Sequence, residues 1–287
     1  MTKFNIERLH SEFGAQISGI DLNGSFSDGE AIAIVEAIDT FSFLVFPEQK
    51  LDDATQLAFT RRIGTPEPNH ARLGRDGVID YFGTVGNVQK NGKVLGNDHE
   101  ATKFLTGNNM WHTDSSFREV PSFVSINYAT EVPDEGGQTQ YVSARSAYDR
   151  LSDEVKQTID PLIVFHDYVY SRSKVAPVTK SHAASLPPVK QKLVRKNSNN
   201  GAKNFYVGSH AREIVGWDED RSRELLDGLL DGATGADHIY THQWKPGQLV
   251  VWDNRCLLHR GTGYDADKYR RYMRQTRVVG KGSTLLE

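Results

Sequence analysis

Cysteine is nearly absent from this 287-residue chain: Cys256 stands alone, which excludes an internal disulfide and fits a reducing compartment. A small buried hydrophobe is the ordinary reading of such a residue. Excess charge of one sign is missing too. Lys and Arg number 34 against 37 Asp and Glu, a net charge of -3, and without a basic footprint neither nucleic acid nor an anionic membrane surface is an expected partner. No apolar run is long enough to span a bilayer, and the opening Met-Thr-Lys-Phe-Asn-Ile-Glu-Arg lacks the apolar core of a secretory signal, so a cytoplasmic location is expected. Repeats, low-complexity tracts and dividing linkers are likewise missing. A single domain over residues 1–287 is the expectation, because barrels and sandwiches of this length commonly form one unit with ample core.

What is present begins with Trp111-His112-Thr113-Asp114. In a strand, residues two apart share a face, so His112 and Asp114 can bring an imidazole nitrogen and a carboxylate oxygen to one point. A second imidazole from a distant strand would complete two histidines and one carboxylate, the set that suits non-haem iron(II) and leaves coordination positions open. The pair alone is commonplace in a chain with ten histidines. Its partner is found near the C-terminus, where Lys245-Pro246-Gly247 marks a turn, Gln248 to Trp252 a short strand, Asp253-Asn254 a second turn, and Cys256 to His259 another strand. Beyond it, Tyr269 to Val279 reads as a strand. Its alternation places Arg270, Tyr272 and Arg274 on one face, taken as the barrel-facing one, and Arg271, Met273 and Gln275 on the other. Two enclosed guanidiniums need two anions, since a buried unpaired charge is very costly; an ordinary surface ladder of ion pairs is the alternative reading of the same strand.

These segments together resemble a known family. Trp111 to Phe117, Gly136-Gly137-Gln138-Thr139, Trp252 to Gly261 and the arginines at 270 and 274 are similar to the taurine dioxygenase superfamily of Fe(II)/2-oxoglutarate oxygenases, and most to its 2,4-dichlorophenoxyacetate branch. The likeness extends to Phe43-Leu-Val-Phe-Pro47, the Gln56 to Gly64 helix, Ser146-Ala-Tyr-Asp149 and Gly208-Ser-His-Ala211, so it spans nearly the whole chain. It implies a mainly β protein with flanking helices around a double-stranded β-helix, or jelly-roll, with a helical and loop insert at about 145–240. It also implies His112, Asp114 and His259 as iron ligands, Thr139 and Arg270 as the anchor of the distal carboxylate of 2-oxoglutarate, and Arg274 as the residue that grips an anionic substrate.

Further residues are candidate substrate contacts. His210 matches a pocket position of the phenoxyacetate branch, His70 falls one residue from a sulfonate-binding histidine of taurine dioxygenases, and Asn108 directly precedes the iron segment. Structural roles compete for each: a satisfied core histidine, a surface-loop histidine and an ordinary turn asparagine. One stretch departs from the branch, because Val194-Arg-Lys-Asn-Ser-Asn-Asn-Gly201 has no histidine where the branch carries one.

Coarser signals place the remaining elements. An early strand is expected within Phe13 to Ile20. Ser27 opens a helix with Ile32, Val35 and Ile38 on one face, Phe41 to Phe46 forms a buried strand, and Leu51 to Ile63 forms a second helix. Helices are expected again at Ala144 to Leu151, Asp153 to Ile159 and Glu219 to Leu230. Residues 65–107 read as a mobile segment near a site entrance, and 171–189 as a surface loop or lid.

The resulting expectation is a dioxygenase that uses Fe(II), 2-oxoglutarate and dioxygen to hydroxylate a small anionic organic substrate, with an aryloxyalkanoate cleaved at its ether first. An alkylsulfonate or taurine-type substrate, or an amino-acid-like carboxylate, stands as the alternative within the class. A non-catalytic ligand-binding jelly-roll is the alternative outside it, disfavoured because a binding module needs no co-substrate anchor. The sequence leaves a homo-oligomer open.

Overall fold

The computed structural model describes residues 4–24, 26–69 and 80–287. Alternating side chains build its central layers. Along Phe43–Phe46, Ser122–Glu131 and Leu249–Asp253, one parity (Leu44, Phe46, Val124, Ile126, Leu249, Val251) joins the helices Asp28–Phe41 and Asp53–Ile63 in one core. The other parity (Phe43, Val45, Ala129, Val250, Trp252) packs against Tyr141 and Leu257 of a facing sheet. Period-two patterning on strands buried on both sides thus fixes which residues point between the sheets.

The larger sheet runs in the order Asn5–Arg8, Ala15–Ser18, Phe43–Phe46, Leu249–Asp253, Ser122–Glu131, Tyr272–Val279 and Gly83–Gly86. Its pairings are antiparallel apart from the parallel contact of Ala15–Ser18 with Phe43–Phe46. The facing sheet orders Tyr240–His242, Thr139–Ser143 and Leu257–Gly261. The two form the expected jelly-roll core. On the outer side of the small sheet, Val142 and Leu258 pack into a further core with Ala147, Phe205, Leu226 and Leu229, supplied by the residues between the two groups of core strands. Among the described residues no helix is long and apolar enough to cross a membrane.

Several elements differ from the sequence expectation. Ser27 caps the first helix through a reciprocal bond with Glu30, as expected, but the helix phase so set buries Ala31, Ile34 and Ile38 and leaves Ile32 60% exposed. Within 171–189 the chain is not one loop: the helix Tyr168–Arg172 ends there, Lys180–Ser185 is helical and Val189–Lys192 begins a strand. The 65–107 segment contains the strand Gly83–Gly86 and the helix Glu100–Leu105, while residues 70–79, including His70, lie outside the described residues.

The edge strand Gly83–Gly86 holds its neighbour through close backbone contact. Gly86 has φ +140°, and a Cβ there would stand 2.0 Å from the Arg271 carbonyl oxygen. That carbonyl accepts from Asn87 N at 3.1 Å, and the Asn87 side chain accepts in turn from Arg271 N at 2.8 Å. A Gly86→Ala substitution therefore has to part the two strands. The expected loss is about 1–3 kcal/mol of stability or more, read as a lower urea midpoint, with a concomitant loosening of Arg271.

Candidate functional site

Two distant segments meet at His112 and His259. Each donates its backbone N–H to the other's carbonyl, at 3.0 and 2.8 Å, and the imidazole rings lie 4.2 Å apart. His259 shares its inward parity with Leu257 on the Leu257–Gly261 strand, which brings its ring among Tyr141 and Trp252. His112 sits in an isolated bridge, not in a strand, and a turn begins at Asp114. The expected same-face geometry is therefore reached by other means. Thr113 Oγ1 donates to the Asn254 carbonyl, and the Asn254 side-chain oxygen accepts from Asp114 N at 3.2 Å, so the turn is clamped to the Asp253-Asn254 corner.

The result is a three-ligand cluster. One potential donor atom each from His112, Asp114 and His259 lies within 4.8 Å of the others. Both Nε2 atoms face Asp114 Oδ1, at 3.7 and 3.8 Å, too long for hydrogen bonds and within the span of three ligands about one ion. His112 Nδ1 contacts the Met110 carbonyl at 2.7 Å; this holds the proton on Nδ1 and leaves the Nε2 lone pair free. Asp114 Oδ2 is engaged behind the cluster by Ser125 Oγ at 2.6 Å and Gln275 Nε2 at 3.1 Å. Gln275 Oε1 accepts from Arg277, and Arg277 donates to the fully buried Glu67, which also receives Ser115 and Ser122. This chain fixes the carboxylate plane and turns Oδ1 toward the imidazoles. The residues fit a hard-to-borderline divalent ion held by two nitrogens and one oxygen.

Electrostatics suits the same use. Burial drives the imidazole of His259 down to about 3, with the neighbouring His112 adding to the effect, so it is a neutral ligand at physiological pH. Burial likewise lowers His112, opposed by the Asp114 charge. For Asp114 burial acts upward, but His259, His112, Arg277 and the Ser125 hydroxyl outweigh it and hold the carboxyl below its usual range.

A cavity of about 210 Å³ opens on the cluster, lined by His112, Asp114 and His259 together with Asn108, Thr139 and Arg271. Arg271 is the finding that the sequence reading missed. Its guanidinium is buried in the wall; Nε has no hydrogen-bond partner and no carboxylate of a described residue pairs with it. Burial pulls it below the ordinary arginine range, with Tyr264 and Tyr141 acting in the opposite direction. The Tyr141 hydroxyl and Asn127 Oδ1, also on the wall, are unpartnered as well.

The arginines expected to face inward do not. Arg270 is exposed and donates Nε to Glu131 at 2.6 Å, and Arg274 pairs with Asp53 at 2.5 Å on the helix side. The inward parity is Arg271, Met273, Gln275 and Arg277, while Thr276 and Val278 meet the helix Asp53–Ile63 through Thr60 and the outer core. Both parities carry arginines, so charge alone does not choose between them. Met273, 0% exposed, is the apolar marker that does.

Thr139 lines the cavity as expected, and its Oγ1 accepts from Trp244 Nε1 at 2.9 Å. Asn108 lines it too. His210 stands beside His112, ring centroids 6.3 Å apart, but is buried, stacked on Tyr168 and joined to Ser171 Oγ at 2.7 Å. Asn197, in the stretch that departs from the phenoxyacetate branch, bonds Asp39 away from the cavity.

The sequence profile of the Taurine catabolism dioxygenase TauD, TfdA family matches residues 5–277. The chain is 34% identical over 282 residues to an alpha-ketoglutarate-dependent 2,4-dichlorophenoxyacetate dioxygenase of Burkholderia sp. (strain RASC), covering 96% of this chain and 95% of the relative. It is 33% identical to an (S)-phenoxypropionate/alpha-ketoglutarate-dioxygenase of Sphingobium herbicidovorans, covering 96% and 95%. A crystal structure of AAD-2 in complex with Mn(II) and N-oxalylglycine superposes with a TM-score of 0.90 at 36% identity, covering 99% of each chain.

Buried neutral imidazoles also set a pH dependence. His166 and His259 are held at about 3 and His242 at about 4, each chiefly by burial, against an ordinary 6.5. The unfolded chain protonates them below about pH 6.5 while the folded one does not, so stability is fully present above that pH and is lost as pH falls toward 3–4. The urea midpoint of chelator-treated protein should fall steadily across this window. A flat profile would contradict the assignment.

Proposed function

The chain belongs to the Taurine catabolism dioxygenase TauD, TfdA family, and from that premise we propose that it oxidises a small organic acid of the aryloxyalkanoate class, with iron held by His112, Asp114 and His259. It is an Fe(II)- and 2-oxoglutarate-dependent dioxygenase. The observation that carries the site assignment is Arg271, a buried guanidinium without an acidic partner in the wall of the cavity that holds the three ligands. Leaving such a charge unpaired is very costly, and a planar donor fork matches a carboxylate. We therefore assign the distal carboxylate of 2-oxoglutarate to Arg271, in place of Arg270.

Thr139 supports the same end of the co-substrate. Because its oxygen already accepts from Trp244, its own O–H is left to donate to the anion. Tyr141 and Trp252 close the space around His259 and exclude water there. When bound, iron(II) with 2-oxoglutarate and dioxygen supplies oxidative decarboxylation to succinate and CO2, coupled to hydroxylation of a substrate C–H bond. The chain's part is positional: it holds co-substrate and substrate so that one carbon faces the ligand cluster. Where that carbon lies between an ether oxygen and a carboxylate, its hydroxylation gives a hemiacetal that falls apart to a phenol and an oxo acid. We place the enzyme in the cytoplasm on its lone cysteine, whose buried thiol is pushed up to about 12.

Succinate release across a panel of aryloxyalkanoates, alkylsulfonates and amino-acid-like acids tests the substrate class; turnover restricted to sulfonates would contradict it. His112→Ala, Asp114→Ala and His259→Ala should each abolish substrate-dependent turnover and lower the iron content of folded protein. Near-wild-type turnover in any of the three would remove that residue from the ligand set.

The two adjacent arginines separate cleanly. Arg271→Ala should weaken 2-oxoglutarate binding by about 3–5 kcal/mol in calorimetry. Thr139→Ala should cost about 1 kcal/mol, and Arg270→Ala nothing measurable. The reverse order would restore Arg270 as the anchor.

A further inference from the structure

If Arg271 is committed to the co-substrate, the acid group of the primary substrate needs another receptor. The strand offers none: four residues beyond Arg271 stands Gln275, a neutral amide already bonded to Asp114 and Arg277. Arg274 and Arg270 are paired with Asp53 and Glu131 outside the cavity.

Among the described residues a further cation lies beside the cavity. Arg172 closes the short helix Tyr168–Arg172, in the segment between the two groups of core strands. It is half-buried, with its guanidinium between the rings of Phe104 and Tyr168, 5.1 and 5.7 Å from their centroids. No carboxylate of a described residue lies within salt-bridge distance. Its Nε is buried without a partner, and it donates to neutral oxygens, the Phe104 carbonyl at 3.3 Å and Asn108 Oδ1 at 2.8 Å, with the Tyr168 phenol beside it. Close approach depends on Gly107, where a Cβ would stand 2.2 Å from Arg172 Nη1.

The bond to Asn108 has a directional consequence. Arginine can only donate, so the atom it holds is the amide oxygen, and the Asn108 NH2 group is turned away from Arg172. Asn108 lines the cavity with the metal-ligating residues. The positive charge is felt at that site as well: it acts on His112, on His210 and, favourably, on Asp114. We propose that Asn108, oriented and electrostatically backed by Arg172, is the receptor for the carboxylate of the primary substrate. Asn108 contacts the acid; Arg172 is the positioning residue and supplies the charge that makes the site select anions. The proposal rests on the dioxygenase reading above and extends it to the substrate class.

The experiment measures substrate-dependent succinate release by wild type, Arg172→Gln, Arg172→Lys and Asn108→Ala. The panel contains aryloxyalkanoates, alkylsulfonates and the uncharged amides of the acids; 2-oxoglutarate affinity is followed separately by calorimetry. Arg172→Gln and Asn108→Ala should raise KM for the best acid on the order of ten-fold to a hundred-fold, as expected for a charge-assisted hydrogen bond, with kcat much less affected. The affinity for 2-oxoglutarate should stay near wild type in both, and KM for the amide should stay near wild type in Arg172→Gln, whose lost charge an uncharged ligand does not feel. Arg172→Lys, which keeps the charge, should recover part of the loss. Equal losses for acid and amide in Arg172→Gln, or unchanged KM for the acid, would overturn the proposal, as would a wild type that prefers the amide. Turnover of sulfonates alone, with the same response to Arg172→Gln, would discard the aryloxyalkanoate reading and keep the receptor. A wild type that turns over no member of the panel would reject both.

Discussion

The reciprocal backbone bonds between His112 and His259 are the constraint on which the site depends. They join a turn that follows the N-terminal third of the chain to a strand near its end, in a seam along the edge of the smaller sheet. Side-chain rotamers alone could not bring two imidazoles to 4.2 Å from segments so far apart in sequence. Once the seam is closed, the Asp253-Asn254 corner receives Thr113 and Asp114, and the carboxylate follows. Metal geometry is thus a consequence of one backbone bridge at a strand edge and of the turn clamped beside it.

A second principle governs the charged groups between the sheets. Glu67 is fully buried and bonded to Arg277, Ser115 and Ser122, with Arg118 3.6 Å away, so its charge is compensated within the fold. Among the described residues Arg271 lacks such compensation, as does Arg172 at the edge of the cavity. Enclosed cations left unmatched by a fold are expected to be matched by ligands, since desolvation makes the unpaired state expensive. The contrast between matched Glu67 and unmatched Arg271 separates architecture from recognition better than proximity to the cavity does.

Much of this was legible in the sequence, for identifiable reasons. Capping residues such as Ser27 and turn residues such as Pro246-Gly247 act locally, so helix starts and strand ends could be read directly. The iron ligands could be named because Trp111 to Phe117, Gly136 to Thr139 and Trp252 to Gly261 follow in one order that resembles a known family, where His-x-Asp alone is commonplace. The strand face could not be chosen from charge, because arginine occurs on both parities of Tyr272–Val279; the decision rests on Met273 packing against the facing sheet. Asn254, Gln275 and Arg277 were missed for another reason: their roles are relations among segments far apart in sequence, and an amide or guanidinium carries no local mark of what it will orient. Arg172 was missed likewise, because its interest lies in having no carboxylate paired with it among the described residues, a property that only the folded neighbourhood defines.

The run from Asp114 through Gln275 and Arg277 to Glu67 has a consequence for how the site meets its metal. Every member is protein, every bond is made within the fold, and the carboxylate plane is set from behind. Capture of an ion therefore demands little rearrangement of the carboxylate. A rigid, open three-ligand cup also discriminates poorly among first-row divalent ions, whose intrinsic affinities follow their own order. The protein's own ligands thus set the place of the ion more tightly than its kind.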